Sequence, residues 1–455
     1  MNKKKTCFCA SVMNMALWML VFGVSFIPFS SCSKKEVSSS GKRYTYHAYS
    51  TVPQTWNPTD YTLGDEGVII NLTNSSLYEF VMNESKTGHD IVLEMASAFP
   101  EDVTAEYAGN ELYGVPSEAT SGWAWKVSII KNAKWDNGDA IDASSYEYSI
   151  KQFLNPLMKN FRANTFYQDG LPLANAKAYY DGDGTWENVG FVKNDDYTFT
   201  LILNKQLTPF MFYYASNSIM LLKEDLYESN KKQTGDIVKS SYCTSVQKSA
   251  SCGPYKVTEF QADKYIHLEK NDAWYGWSDG KHKGQYQTTG YDIQFITDME
   301  TLTNLFLQGK LDELSLDAVR MEKFGNSEYR QDAPQSYTWK FSFNIDKKAL
   351  KTEESPGVNH SILSYIDFRK GISLAIDRQK YVDTISIGSD PGFGLINYMY
   401  VSDPDTGLLY RDSPQAKKAL CEIYGTSSVD DITGYDKEEA AKCFQAAYDA
   451  AVKAG

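Results

Sequence analysis

The sequence predicts an α/β chain of more than one domain. Up to roughly residue 300, short runs alternate apolar and polar side chains and stop at Gly, Pro, Asn or Asp. Beyond that point the apolar spacing lengthens to the period of helices. Strands and helices mixed at such lengths give an α/β class. The 455 residues also exceed what one hydrophobic core serves, so two or three domains are expected.

The first 32 residues set the address. Lys3, Lys4 and Lys5 precede an apolar stretch centred on Leu17, Trp18, Leu20, Val21 and Phe22, and Ser30, Ser31 and Cys32 follow. This is the order of a secretory signal over 1–31, too short to span a bilayer comfortably. Small residues before a cysteine resemble a lipobox, so Cys32 is expected to be diacylated and to hold the mature chain at a membrane. Residues 32–43, rich in Ser and Lys, read as a flexible tether.

The elements then follow in order. Residues 44–49 read as a strand and 68–80 as a helix-like run. Residues 123–130 place Trp125, Val127 and Ile129 on one face of a hairpin arm. Asn137-Gly138 makes a turn, and Asp142 caps a helix whose apolar stripe is Tyr146, Ile150, Phe153 and Leu154. Phe199, Leu201 and Leu203 alternate, Pro209 opens an aromatic run, and Gly253-Pro254-Tyr255 turns into another alternating strand. His267, between Ile266 and Leu268, belongs on a strand surface. Helices are expected over 301–309, 367–385, 414–424 and 437–454.

Charge narrows the function classes. The formal charge is −13, and near −16 once the three lysines of the leader are set aside, which disfavours nucleic acid and anionic membrane faces. Of seven cysteines, Cys7 and Cys9 leave with the leader and Cys32 takes lipid. The remaining four suggest two disulfides in an exported chain. Cys243 with Cys252 and Cys421 with Cys443 gives the shortest loops; the other two connectivities stay open. No enzyme is expected, because no nucleophile and base can be named. The histidines at 47, 89, 267, 282 and 360 have no metal-ligand spacing, and neither a G-x-S-x-G elbow nor a phosphate loop occurs, so no metal or cofactor is expected. The run Asp181-Gly182-Asp183-Gly184 lacks the closing Glu of a calcium loop, since Val192 stands twelfth. Paired carboxylates such as Asp65-Glu66 follow from a composition with 58 acidic residues.

Three stretches carry a resemblance: KWDNGDAIDASSYEYSIKQF from Lys134, CGPYKVTEF from Cys252 and DFRKGISLAIDRQKYV from Asp367. In this order they resemble the family 5 extracellular solute-binding proteins, the oligopeptide- and dipeptide-binding receptors of ABC importers. FLQGKLDELSL, from Phe306, is similar to the run that follows the family's first hinge crossing. The resemblance implies a type II periplasmic-binding-protein-like fold of two lobes, with an extra domain inserted in the first. On that template lobe I takes 44–80 and 190–295, the insertion 81–189 and lobe II 296–455. It also implies that relatives continue beyond a stretch like residues 438–455. Lobe II would then be incomplete here, and these 455 residues alone would bind peptide weakly.

The same resemblance implies an oligopeptide ligand held between the lobes and passed to permease and ATPase subunits outside the cytoplasm. It points to Leu63, Gly64 and Asp65 as a backbone-contacting edge, to Gly253 and Tyr255 of the turn, to Tyr167 in the insertion, and to an exposed Phe393. An oligosaccharide receptor of the same fold, suggested by the 14% aromatic content, and a surface adhesin or signalling lipoprotein are the alternatives.

Overall fold

A computed structural model describes residues 43–82, 89–168, 170–332, 338–397, 399–403 and 408–454. The expected signal peptide, most of the tether and Cys32 lie outside these residues. The body that follows Arg43 begins at Tyr44. Its strands in chain order are β1 (Tyr44–Tyr49), β2 (Tyr78–Met82), β3 (His89–Leu93), β4 (Glu101–Asp102), β5 (Ala124–Ser128) and β6 (Phe191–Asp195). There follow β7 (Thr198–Ile202), β8 (Lys231–Thr234), β9 (Ile237–Ser240), β10 (Tyr255–Gln261), β11 (Tyr265–Lys270) and β12 (Gly290–Phe295).

Two four-stranded sheets organise this region. One has the order β1-β12-β11-β10, with β1 parallel to β12 and the remaining pairs antiparallel. Alternation sets its faces: Ile266 and Leu268 are buried, while His267 between them takes the outer face as expected. The other sheet, β4-β5-β7-β6, buries Trp125, Val127, Phe199 and Leu201. It runs across the boundary expected between 189 and 190, since β6 and β7 pair with β5.

The turn and cap chemistry is as the residues dictate. Gly138 adopts φ 92°, and Asp142 Oδ1 accepts from the amides of Ser144 (2.9 Å) and Ser145 (3.2 Å) at the start of the helix Ala143–Phe153. Tyr146, Ile150, Phe153 and Leu154 are all buried. Two expectations need correction. The run 68–80 is not one helix: a helix spans Gly64–Thr73, Asn74 leaves the helical region, and Tyr78 begins β2. The side chains of Asn74, Ser75 and Ser76 donate to the carbonyls of Leu221, Cys252 and Tyr78, bonds made outside a helix. The amphipathic run 367–385 is likewise two helices, Ile366–Ala375 and Arg378–Thr384. Asp377 caps the second by accepting from the Lys380 amide (3.0 Å). Arg378 secures the break by donating to the carbonyls of Ser373 (3.0 Å) and Gly434 (2.7 Å).

Beyond Phe295 the described chain is mainly helical, with only the short pair Val401–Asp403 and Leu408–Leu409 extended. The helix Lys437–Lys453 packs on Ile366–Ala375 with Phe368 and Phe444 rings 5.5 Å apart. Gly371 lies under that contact: a methyl group there would meet the Phe444 ring at 2.7 Å. A larger residue at this position would have to displace that ring.

The cysteines correct a further expectation. Cys243, Cys252, Cys421 and Cys443 all carry free thiols, so neither expected disulfide is formed. The sulfurs of the first two have separate partners. Cys243 faces Ser249 and the Ala250 amide, whereas Cys252 faces the Ser75 amide. Complete burial pushes both thiols up to about 12, which keeps them neutral and unreactive.

Candidate ligand-binding site

β1 and β12 run side by side and end together at Tyr49 and Phe295. The Ile296 amide donates to the Tyr49 carbonyl (2.8 Å), and the chain then leaves the sheet for the helix Met299–Leu307, capped by Asp298. Asp312 returns to β1, accepting from the Tyr46 amide (2.8 Å) through Oδ2 and donating its own amide to the Tyr46 carbonyl (2.9 Å). Glu313 pairs with His47 (2.9 Å), which holds its carboxyl below the usual carboxylate range. The connection between the two parts of the chain is thus anchored at this end of the sheet.

The loop after β1 is shaped by one buried carboxylate. Glu66 is 2% exposed, and its Oε1 accepts from the amides of Gln54 (2.9 Å) and Thr55 (3.3 Å). Its Oε2 accepts from the amides of Thr62 (2.9 Å) and Leu63 (3.0 Å). Charge-assisted bonds of this kind are roughly twice as strong as neutral ones. Asp65 beside it accepts from the Thr51 hydroxyl. Arg162 also fastens the loop: its guanidinium lies 3.6 Å from the Tyr61 ring centroid and donates to the Tyr61 carbonyl (2.7 Å).

The structure places the expected ligand residues in different surroundings. Leu63, Gly64 and Asp65 sit together, half-buried or exposed, near the end of the sheet where the chain crosses. Gly253 and Tyr255 lie at its opposite end, where Tyr255 is level with Lys270 and the Lys270 amide bonds Thr289. Neither offers a free surface. A Cβ on Gly253 would meet the Asn74 backbone at 2.7 Å, and Tyr255 is fully buried with its hydroxyl donating to the Thr288 carbonyl (3.0 Å). Tyr167 tilts against Tyr180 (5.5 Å) with the Lys177 amine 5.6 Å from its ring. Phe393 is half-buried rather than exposed, because Tyr424 packs edge-on against it (6.1 Å) and Arg378 covers it (5.8 Å).

Glu66 and Arg162 were not legible as site residues. A Glu three places after Leu63 is the capping-box position, the one signal that distinguishes Glu66 from surface acids. Nothing in the sequence announces Arg162. Among the described residues no helix is long and apolar enough to cross a membrane.

The model of the bacterial extracellular solute-binding proteins, family 5 (middle region), matches residues 112–447. The chain belongs to this family of solute-binding proteins. The dipeptide-binding protein DppE of Bacillus subtilis is 21% identical over 295 residues, covering 65% of this chain and 48% of that protein. The oligopeptide-binding protein OppA of the same organism is 25% identical over 277 residues, covering 59% and 44%. The chain spans about half the length of the curated relatives it matches. Listeria monocytogenes OppA bound to peptide superposes with a TM-score of 0.62 at 21% identity, covering 90% of this chain and 74% of that one. The substrate-binding domain of an oligopeptide ABC transporter from Bacillus anthracis gives 0.64 at 18%, covering 90% and 67%. At such identities the likeness establishes the fold, the two-lobed α/β architecture of these family 5 solute-binding proteins.

Proposed function

We propose that this solute-binding protein captures oligopeptides outside the cytoplasm and delivers them to the permease and ATPase subunits of an ABC importer. Family membership is the observation that carries the reading, and the relatives, dipeptide- and oligopeptide-binding proteins, supply the ligand class. In this reading lobe I comprises 44–80 and 190–295, the insertion 81–189 and lobe II 296–455, except that β6 and β7 pair with β5 and so go with the insertion. The leader order and Cys32 support export with a lipid anchor facing the periplasm or cell exterior.

Peptide recognition follows from backbone chemistry. An extended peptide presents a donor and an acceptor at each residue, and a general receptor answers with its own main chain while leaving side chains in roomy, wet surroundings. The loop held by Glu66 presents Gly64 and Asp65 at such an edge, the Leu63 amide and carbonyl being taken by Glu66 and Gly67. Tyr167 and Phe393 supply apolar surface across the cleft, while Gly253 and Tyr255 fix the far end of the sheet.

Calorimetric titration of the exported protein with peptide mixtures and with oligosaccharides tests this. Saturable heat with peptides is expected; heat with oligosaccharides alone overturns the reading. Cys32→Ser should release the protein from membranes, and retention of that variant would overturn the anchor.

A further inference from the structure

At the end of the first sheet away from the chain crossing, a polar cluster is buried between the β2–β3 hairpin and the 271–289 loop. Glu79 comes from β2, and Glu94 follows β3, its amide bonded to the Leu77 carbonyl (3.1 Å). The loop contributes Tyr275, Asp279 and His282. The side chains of His282 and Glu94 are only 5% and 7% exposed. Imidazole Nδ1 lies 2.9 Å from Asp279 Oδ2, and Nε2 lies 2.5 Å from Glu94 Oε1. The other Glu94 oxygen accepts from the Tyr275 hydroxyl (2.6 Å). Trp274 packs against the imidazole at 4.7 Å and fixes its plane. Glu79 completes a set in which one atom each of Glu79, Glu94 and His282 lies within 4.8 Å of the others.

Glu79, half-buried, and buried Glu94 face each other, with the His282 imidazole as the charge partner beside them. Among the described residues neither Glu79 nor Glu94 has a Lys or Arg ion pair, and Lys281 reaches only the Leu93 carbonyl (3.5 Å). A cavity of about 330 Å³ opens onto Glu79 and Glu94 and is also lined by Tyr78. Tyr78 is fully buried, and its hydroxyl has no hydrogen-bond partner among the described residues. An orphaned hydroxyl on the wall of a polar cavity marks room for a ligand or its bound water.

We propose that Glu79, Glu94 and His282 bind a divalent transition-metal cation of the zinc type, with Asp279 as a positioning residue behind His282. The Asp279–His282 bond fixes the tautomer that leaves Nε2 for the metal, the usual arrangement of a carboxylate behind a ligating histidine. One imidazole and two carboxylates suit Zn²⁺, with water from the cavity in the fourth position. In a tetrahedral set the ligand atoms stand about 3.3 Å apart, so Nε2 and Glu94 Oε1 separate slightly as the proton between them leaves to solvent. The ion would tie the loop to the hairpin. It is independent of the peptide reading, lying at the other end of the sheet from Leu63–Asp65.

The test is titration of metal-free protein with Zn²⁺ by calorimetry, repeated with Co²⁺ and read by absorption. One equivalent should bind, and the Co²⁺ spectrum should lack the sulfur-to-cobalt charge-transfer band that the free cysteines would give. Glu94→Gln and His282→Asn should each weaken binding by a hundredfold or more. Glu79→Gln, at the cavity wall, is the variant least exposed to misfolding and should do the same, and Asp279→Asn should cost tenfold to a hundredfold. Wild-type protein that takes up no Zn²⁺ overturns the proposal, as does a sulfur band. Undiminished binding by a folded Glu79→Gln or His282→Asn variant overturns it equally.

Discussion

The two stretches on either side of Phe295 are built differently. Before it, strands from positions more than 200 residues apart are joined, as β1 is to β12, and the main buried cluster runs from Tyr49 to Phe295. After it, helices lie on one another with few large buried side chains, and Tyr329 and Phe341 are 80% and 74% exposed. Long-range strand pairing brings apolar faces together from many directions; helix pairs bury a stripe each. Cooperative stability should therefore reside mainly in the first stretch.

The sharpest way to break that contrast is to empty equivalent rings. Phe199 is fully buried, stacked on Phe191 (5.1 Å) and tilted against Tyr146 (5.0 Å). Phe199→Ala should cost about 3–5 kcal/mol in urea unfolding, whereas Phe341→Ala should stay within about 0.5 kcal/mol. Equal losses would mean the two stretches share one cooperative unit of equal density. Next in size is Gly371→Ala, whose methyl meets Phe444 and should cost about 1–3 kcal/mol by overpacking. Combining it with Phe444→Ala should cost less than the two changes summed, and strict additivity would show that the helices do not touch as described.

A smaller effect compares two caps. Asp142→Ala and Asp436→Ala each remove an N-cap, worth about 1 kcal/mol, but only the first should lower the main unfolding transition. The smallest concerns the buried thiols. Their values, raised to about 12 from the ordinary 9.0, mean that the unfolded chain loses those protons first as pH rises. Stability from this source is thus intact well below pH 9 and falls as pH rises through it, by about 0.4 kcal/mol per thiol at pH 9. Alkylation at that pH should label half-exposed Cys421 and spare Cys243 and Cys252 until the protein unfolds. Rapid native labelling of either buried thiol would contradict their burial.

What could be read from the chain follows the range of the signal. Alternation around Trp125 and Val127, and the Asp142 cap, are local and were legible. The break between Ala375 and Arg378 was not, because Arg378 holds it through Gly434, 56 residues away. The thiols misled because short loops say nothing of where sulfurs point. Leu63–Asp65 and Gly253–Tyr255 were both expected to contact the ligand, and only the sheet register sends them to opposite ends. The Glu79–Glu94–His282 cluster was invisible, since its histidine lies 188 residues from the nearer glutamate.

Glu66 has one more consequence. All four groups it holds are main-chain amides, from Gln54, Thr55, Thr62 and Leu63. None of those bonds depends on what side chain the donor carries, provided it is not proline. The shape of the rim is therefore written in a single residue, while its lettering is free to drift. Descendants of this sequence can exchange the side chains displayed along this loop without rebuilding the frame that holds it.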